Sequence, residues 1–260
     1  MMSEVYGLLN AANMSAFDLI FYRMLGFFAV CPYFKERRVP KKAVLIMALI
    51  MAYLLSLNET LQTMASASSS LDEHIKWGVM NLAVGALVGT TVLLALEVVR
   101  LTGKMIACAM QLSFSQMVDP NSGTNSDAVT ASMYFLFSLV FVEAGGIFIL
   151  LDIMLSTFDI VPLTDFIIKP TIWYEIAFTF GETFTYAVLL GAPFLMIGLL
   201  LNIALGVISK GAPSMNLFSI GFPMAIFLGI LGLYLIMPSL LQEMFTYFMV
   251  LKKDYLGLIH

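Results

Sequence analysis

The side chains with the most chemical potential in this chain are charged groups inside apolar stretches of sequence. An ionisable group is costly in such surroundings, so each is a candidate for proton transfer or for an ion pair. Arg23 has Asp18 five residues away, off its own helical face, so its partner is expected on another helix or subunit. Two interpretations stay open for Arg23, a structural pair between helices and a place on a conducting path. The acidic candidates are Glu97, Glu143, Asp152, Glu175 and Glu182.

The acidic candidates differ in their spacing from other charges. Glu97 and Arg100 are three residues apart, a spacing at which side chains pair on one helix. Glu175 and Glu182 are seven residues apart and share a helical face. That face could form an acidic stripe along a wet path, as in a proton-coupled transporter, or could point into an outer vestibule.

Signatures of enzymatic chemistry are absent from the sequence. The two histidines, His74 and His260, belong to no zinc-binding HExxH, and there is no GxSxG or phosphate-binding GxxxxGK[ST]. Cys31 and Cys108 lie in apolar segments without metal-ligand spacing and are expected to be buried, unreactive thiols. We therefore expect a protein that is not an enzyme and uses no metal or cofactor.

Composition defines the class of protein. The chain has 260 residues, of which 60% are hydrophobic and only 12% charged, too apolar for a soluble domain. Its net charge of −4 and the lack of a basic stripe exclude nucleic acid as a partner. Apolar runs near the ~18 residues needed to span a bilayer recur along the chain. The sequence therefore predicts an all-α, polytopic membrane protein.

Six apolar runs indicate about six helices, several of them short or kinked. The run Ala43–Leu57 has 15 residues, which is short for a span. Gly181, Gly191 and Pro193 are expected to interrupt the segment between residues 172 and 208, and such breaks argue for a subunit packed inside a larger assembly. Basic residues after the first run place that loop in the cytoplasm. The runs are Phe17–Phe34, Ala43–Leu57, Trp77–Val99, Ala131–Leu151, Phe184–Ile208 and Leu217–Leu241.

A central segment, Met105 to Met117, differs from the spans because it mixes apolar side chains with glutamines and serines. Met110, Phe114 and Met117 recur at the i, i+4, i+7 spacing and form an apolar stripe if the segment is helical. Methionine is unbranched and polarizable, so a cluster of it can seal an irregular gap and repack around different objects. Periodicity alone fits an ordinary core stripe equally well.

A polar hinge, which stops a helix between two long apolar runs, carries the most specific pattern of the chain. We expect a helical hairpin with its one cation, Lys210, at the tip and a kink where the return helix begins. In residue types and spacing, this stretch resembles the signature of the FliR/SctT family of type III secretion export gates. The residues of this signature are Asn202, Gly206, Lys210, Pro213, Asn216, Gly221, Phe222 and Pro223.

The resemblance extends over nearly the whole chain and implies roles for further residues. Arg23 looks like the arginine common in the family's first helix, and Arg37 to Pro40 like its basic turn. The segment 105–123 looks like the family's plug, which implies plug residues Met105, Met110, Phe114 and Met117, followed by a turn at Asp119, Pro120, Ser122 and Gly123. The chain departs from the family at Glu143, because the sequence that follows lacks the family's Gly-His corner.

The resemblance also implies architecture and partners. Residues 1–170 correspond to a FliP-like helical part and residues 171–260 to a FliQ-like hairpin with a tail. The implied function is that of a structural and gating subunit of a protein export gate, flagellar rather than virulence-associated, in the bacterial inner membrane at the basal body. FliP-like, FliQ-like, FlhB-like and FlhA-like proteins are the implied partners, in a helical pore assembly that passes unfolded substrates. The alternative function is a proton-coupled secondary transporter that uses intramembrane carboxylates such as Glu143.

Overall fold

The computed structural model describes residues 11–35, 39–65, 71–112, 128–164, 166, 171–211 and 217–258. Within these ranges the secondary structure is entirely helical. Three helices, α5, α8 and α9, are long and apolar enough to cross a membrane, and α6 with α7 adds a fourth span if this bent pair is one span. The predicted all-α, polytopic membrane fold is confirmed. The helices are α1 (Ala11–Val30), α2 (Pro32–Lys35), α3 (Lys41–Ser56), α4 (Glu59–Ala65), α5 (Leu71–Ala109), α6 (Ala128–Glu143), α7 (Gly146–Ile160), α8 (Thr171–Gly211) and α9 (Leu217–Leu258).

By its internal contacts the chain divides into two compact units, and the long helices α5, α8 and α9 each contribute to both. Unit 1 comprises Met1–Leu94, Ile147–Ile176 and Met249–His260, and unit 2 comprises Ala95–Gly146 and Ala177–Phe248. The division at residue 170, which rests on the family resemblance, is of a different kind and stays a prediction.

Unit 1 is held together where small residues let helices approach closely. The buried side chains of α3 are Ala48, Ala52 and Ser56, which recur every four residues on the face that packs on α1. Where α1 crosses α5, a Cβ added to Gly85 would meet the carbonyl oxygen of Arg23. The two helix backbones are therefore in direct contact, the packing typical of small residues in membrane helices.

Helix α3 confirms the short second run of the sequence. It has 16 residues, about 24 Å at 1.5 Å per residue, which is less than the ~30 Å of a bilayer core. Its small-residue face is buried, and its large apolar side chains point outward. The exposed ones are Leu45, Ile46, Met47, Leu49, Ile50, Tyr53 and Leu54.

The fourth apolar run is not one helix, so the expected continuous run Ala131–Leu151 is wrong. Helix α6 ends at Glu143, α7 begins at Gly146, and the helix axis bends by 71° at this break. Gly145 has φ 75°, a left-handed conformation that glycine adopts without the steric cost of a Cβ. A Cβ on Gly146 would meet the ring of Phe141, so the corner also needs a glycine there.

The expected interruption between residues 172 and 208 is also wrong. Helix α8 is continuous for 41 residues although Pro193 lies inside it, and α9 continues for 42 residues through Pro223 and Pro238. The kink expected at Gly221 to Pro223 falls inside α9, near its start, and stays a prediction. In apolar surroundings the backbone has no other hydrogen-bond partner, which favours an unbroken helix despite these residues.

Helices α8 and α9 form an antiparallel hairpin within unit 2, as predicted. Near one end, the hydroxyl oxygens of Thr183 and Tyr247 are 3.0 Å apart. Farther along, a Cβ on Gly232 would lie 3.1 Å from Cε1 of Phe194. Partner numbers fall on α9 as they rise on α8, so the two helices run in opposite directions.

Candidate functional site

Helix α5 ends in a hydrogen-bonded turn inside the central segment, whose residues Met105 to Ala109 still belong to the helix. The N–H of Gln111 donates to the carbonyl of Cys108, and the N–H of Leu112 donates to that of Ala107, both at 3.0 Å. This bonding pattern is a Schellman motif, in which the residue after the helix has left-handed backbone angles and is usually glycine. Gln111 occupies that position with φ 60°. The helix thus ends just before Met110, and the described chain does not continue it toward Phe114.

The side chain of Met110 lies in a recess lined by glycines, and only 2% of the residue is exposed. A Cβ added to Gly229 on α9 would meet its Cγ and lie 2.8 Å from its Sδ. On α8, a Cβ added to Gly198 would lie 3.0 Å from the carbonyl oxygen of Ala109. The end of α5 thus packs tightly against a glycine on each of the two helices.

The two glycines of the recess lie at the same level of the hairpin. Their neighbours Phe194 on α8 and Ala225 on α9 line the same cavity, together with Leu201. The void that remains beside Met110 is about 10 Å³, at the lower limit for one water molecule. Met110 therefore fills the recess almost completely.

A second methionine, five residues earlier on α5, makes a similar contact. A Cβ on Gly191 of α8 would lie 3.0 Å from Cβ and 3.2 Å from Sδ of Met105. In the same stretch, the Thr102 hydroxyl donates to the carbonyl of Ala187 at 3.4 Å. The end of α5 therefore follows the face of α8 in the same direction, and its two methionines are seated on glycines.

One polar contact accompanies these apolar ones. Nε2 of Gln111 donates to Oδ1 of Asn202 on α8 at 2.9 Å. Asn202 is the first residue of the hinge signature, and it lies one helical turn beyond Gly198. The sequence did not connect Asn202 or Gly198 with the central segment. The two residues are four positions apart and thus share a helical face.

Several predicted site residues lie outside the described residues. They are Phe114, Met117, Asp119, Pro120, Ser122 and Gly123 of the plug and its turn, and Pro213 and Asn216 of the hinge. Among the described hinge residues, Lys210 is exposed in the last turn of α8. Gly221 is buried in α9 against Leu205, and Pro223 is exposed.

Arg23 is fully buried and bonded to main-chain oxygens instead of a carboxylate. Its Nη1 donates to the carbonyls of Thr157 at 3.1 Å and Val161 at 3.0 Å, and Nη2 donates to that of Pro162 at 3.0 Å. These carbonyls belong to the C-terminal end of α7, where the helix dipole favours a cation. The ring of Phe158 lies 4.6 Å below the guanidinium. Arg23 therefore has a partner on another helix, as expected, but this partner is the C-terminal end of α7 and not an acidic side chain.

Asn81 completes the bonding of Arg23 and was missed by sequence reasoning. Its Oδ1 accepts from Nε of Arg23 at 2.8 Å, and its Nδ2 donates to the carbonyls of Trp77 and Leu163 at 2.8 Å each. All three nitrogens of the guanidinium are thus bonded within unit 1. A polar amide in the middle of an apolar helix was the available signal.

The acidic candidates lie at or near surfaces. Glu97 pairs with Arg100 at 2.9 Å, as their spacing predicted, and Asp152 pairs with Lys252 at 2.8 Å. Glu143 is exposed at the end of α6. On α8, Glu182 is exposed and Glu175 half-buried. Glu97 and Asp152 therefore form ion pairs from positions inside helices.

Neither cysteine pairs with a metal-binding neighbour in the described part of the chain, where no cluster of His, Cys, Asp or Glu could hold a metal ion. Cys31 is buried as expected. The same expectation is wrong for Cys108, which is exposed in the last turn of α5, although its neighbour Ala107 is buried.

Fold and site together define a class, a polytopic helical membrane protein with a methionine-filled recess at the end of a membrane helix. The sequence matches the family described as bacterial export proteins, family 1, over residues 14–250. The chain therefore belongs to this family, that of the FliR proteins, and the resemblance noted from the sequence is confirmed.

The relatives are flagellar. The chain is 29% identical over 216 residues to the flagellar biosynthetic protein FliR of Buchnera aphidicola subsp. Baizongia pistaciae, with 83% of each chain covered. It is 27% identical over 217 residues to FliR of Escherichia coli K12, covering 83% of this chain and 82% of the relative. For FliR of Bacillus subtilis the identity is 26% over 216 residues, with 81% and 82% covered. These homologues indicate a membrane component of a bacterial flagellar export apparatus.

Proposed function

We propose that this chain is a structural and gating subunit of a flagellar type III export gate and forms part of its channel for unfolded substrates. The seating of Met110 in the recess of Gly198 and Gly229 carries the proposal. It supports closure by a bulky, flexible side chain at a helix end, where a small movement creates or fills a gap.

In the resting gate, methionine side chains exclude water and ions, because an apolar constriction dewets. By resemblance, Phe114 and Met117 extend the same plug, and the Asp119 to Gly123 turn returns the chain. When the plug moves, an unfolded polypeptide passes. Methionine suits this task because its unbranched thioether side chain repacks around substrates of different sequence.

The two long helices support a place inside a larger assembly. Only 11% of the most apolar window of α8 and 17% of that of α9 are buried, against 67% for α5. Each helix is about 60 Å long, roughly twice the ~30 Å thickness of a bilayer core. Much of the apolar surface that lies beyond the lipid must therefore be covered by protein.

We assign that cover to FliP-like and FliQ-like subunits in a hetero-oligomeric pore, with FlhB-like and FlhA-like export components as further contacts. In this assembly residues 1–170 act as a FliP-like part and residues 171–260 as a FliQ-like hairpin. The location is the bacterial inner membrane at the flagellar basal body. Without its partners the chain is expected to aggregate or be degraded.

The test is ion permeability in cells that co-express the chain with FliP-like and FliQ-like partners. Replacing Met110, Phe114 and Met117 by Ala removes most of the sealing volume, so dye uptake and ion leak are expected to rise while a native gel still shows the complex. The matched control is Met196→Ala, which truncates an exposed methionine of α8. An intact complex that stays tight contradicts the gating role, and loss of the complex assigns these residues to core packing.

A further inference from the structure

Gln111, the residue that follows Met110, has an unfavourable backbone conformation and a side-chain hydrogen bond to a residue on another helix. Gln111 has φ 60° at a position where a Schellman motif normally has glycine. Left-handed angles are disfavoured for residues with a Cβ, and such strain persists only where surrounding contacts enforce it. Besides the two main-chain hydrogen bonds of the turn, the structure shows a 2.9 Å hydrogen bond from Nε2 of Gln111 to Oδ1 of Asn202.

Both residues of this hydrogen bond, Gln111 and Asn202, lie beside the recess. Gln111 follows Met110 directly, and Asn202 stands four residues after Gly198 on the same face of α8. The hydrogen bond therefore fixes the chain immediately after the methionine to the helix that forms one wall of the recess. Asn202 is exposed and Gln111 half-buried, so water can compete for this bond.

We propose that Gln111 and Asn202 form a latch that holds Met110 in its recess, and that release of the latch is a step in opening. This inference rests on the gating function proposed above. Both residues are positioning residues, since they act through Met110. When the bond breaks, Gln111 is free to leave its left-handed conformation, and the change in backbone direction moves Met110 off Gly229.

The test measures ion leak in cells that hold the assembled complex. Asn202→Leu removes the acceptor while keeping similar volume on an exposed helix face. Gln111→Leu removes the donor but keeps a Cβ, so the left-handed conformation stays unfavourable and its release still moves Met110. A neutral hydrogen bond shifts such an equilibrium by about two- to tenfold, and each variant is expected to raise the leak by that factor.

Two further variants separate the latch from general packing. The exchange Gln111→Asn with Asn202→Gln keeps the summed length of the two amide side chains and is expected to restore a tight gate. Gln242→Leu changes an exposed amide of α9 with no role in the latch and is expected to leave the leak unchanged.

The outcomes distinguish the latch from the gate itself. A leak with Asn202→Leu and with Gln111→Leu, reversed by the exchange, supports the latch. If both single variants stay tight while Met110→Ala leaks, the latch is wrong and the gating function stands. If Met110→Ala also stays tight in an intact complex, the gating function fails and the latch fails with it. A leak that the exchange does not reverse overturns the latch as well.

Discussion

Glycines serve two different purposes in the two units. In unit 1, Gly85 brings backbone against backbone, because an added Cβ would meet the carbonyl oxygen of Arg23. In unit 2, Gly229 faces the thioether side chain of Met110. Both sites look alike in the sequence, as glycines inside apolar helices, yet they touch different kinds of atoms.

The difference concerns what can move. A helix carbonyl cannot shift without disturbing the helix, whereas a methionine side chain rotates about three bonds and adapts to a new neighbour. The crossing in unit 1 is therefore a fixed contact, and Arg23, with all its nitrogens bonded, strengthens it. The contact in unit 2 can open and close. A single chain thus combines a rigid region with an adjustable one.

The largest effect is expected from Arg23→Met. The substitution removes the Arg23 donors from the carbonyls of Val161 and Pro162, while the carbonyl of Thr157 keeps the N–H of Val161. We expect a loss of about 3–5 kcal/mol in the free energy of unfolding. Thermal unfolding of the purified complex and its yield measure this. Arg23→Lys, which keeps a cation for the helix end, is expected to lose less. An assembled, leaky Arg23→Met complex would instead place Arg23 on a conducting path.

Gly85→Ala comes next. The added methyl group overlaps a backbone oxygen, so the free energy of unfolding is expected to fall by about 2–3 kcal/mol and the complex to become scarce. Gly206→Ala is the matched control, since nothing lies within 4 Å of the added Cβ. That control is expected to gain up to about 1 kcal/mol from better helix propensity. Equal loss from both substitutions would argue against a fixed crossing.

Gly229→Ala tests the corresponding contact in unit 2 and is compared with Gly85→Ala of unit 1. Because Met110 can rotate away, the loss of stability is expected to be about 1 kcal/mol or less, with the complex still visible on a native gel. Displacement of Met110 is expected to appear as increased dye uptake. If the complex disappears as completely as with Gly85→Ala, the contact in unit 2 is as rigid as the one in unit 1.

The smallest effect is expected from Glu143→Gln. Glu143 is exposed at the end of α6, so removing its charge should change neither assembly nor the rate of export. Secretion of a reporter substrate at several external pH values measures this. A substitution that abolishes pH-dependent transport in an intact complex would favour the proton-coupled transporter instead.

The class of fold could be predicted from the sequence, because composition and apolar runs follow directly from the bilayer as solvent. Helix continuity could not. Gly191 and Pro193 carry breaking propensity, but α8 continues through both. The corner at Gly145 was missed for the opposite reason, since a positive φ depends on tertiary context and leaves no periodic signal.

For the candidate site, residue types could be predicted and contacts could not. Met105 and Met110 were identified through the family resemblance and adaptable chemistry, but the recess of Gly198 and Gly229 requires three helices to meet. The spacing of Met110 with Phe114 favoured a helix that includes both residues, but α5 ends at Ala109, one residue before Met110. The tether of Gln111 joins positions 91 residues apart, a pairing that one sequence cannot reveal.

The most direct test of an adjustable seat is a reversible cross-link between Met110→Cys and Gly229→Cys, in a background with Cys31→Ala and Cys108→Ser. The Cβ of residue 229 would meet Cγ of Met110, close enough for a disulfide between the two new thiols. The matched control is Met105→Cys with Gly191→Cys, which joins the body of α5 to α8 before the helix ends.

The measured quantity is secretion of a flagellar export substrate, before oxidation, after it, and after addition of a reductant. If Met110 must leave its recess for the gate to open, oxidation stops export in the 110–229 variant, and the reductant restores it. The 105–191 variant continues to export when cross-linked, because that part of α5 stays in place. Undiminished export through a gate cross-linked at 110–229, or equal inhibition by both cross-links, would contradict the account.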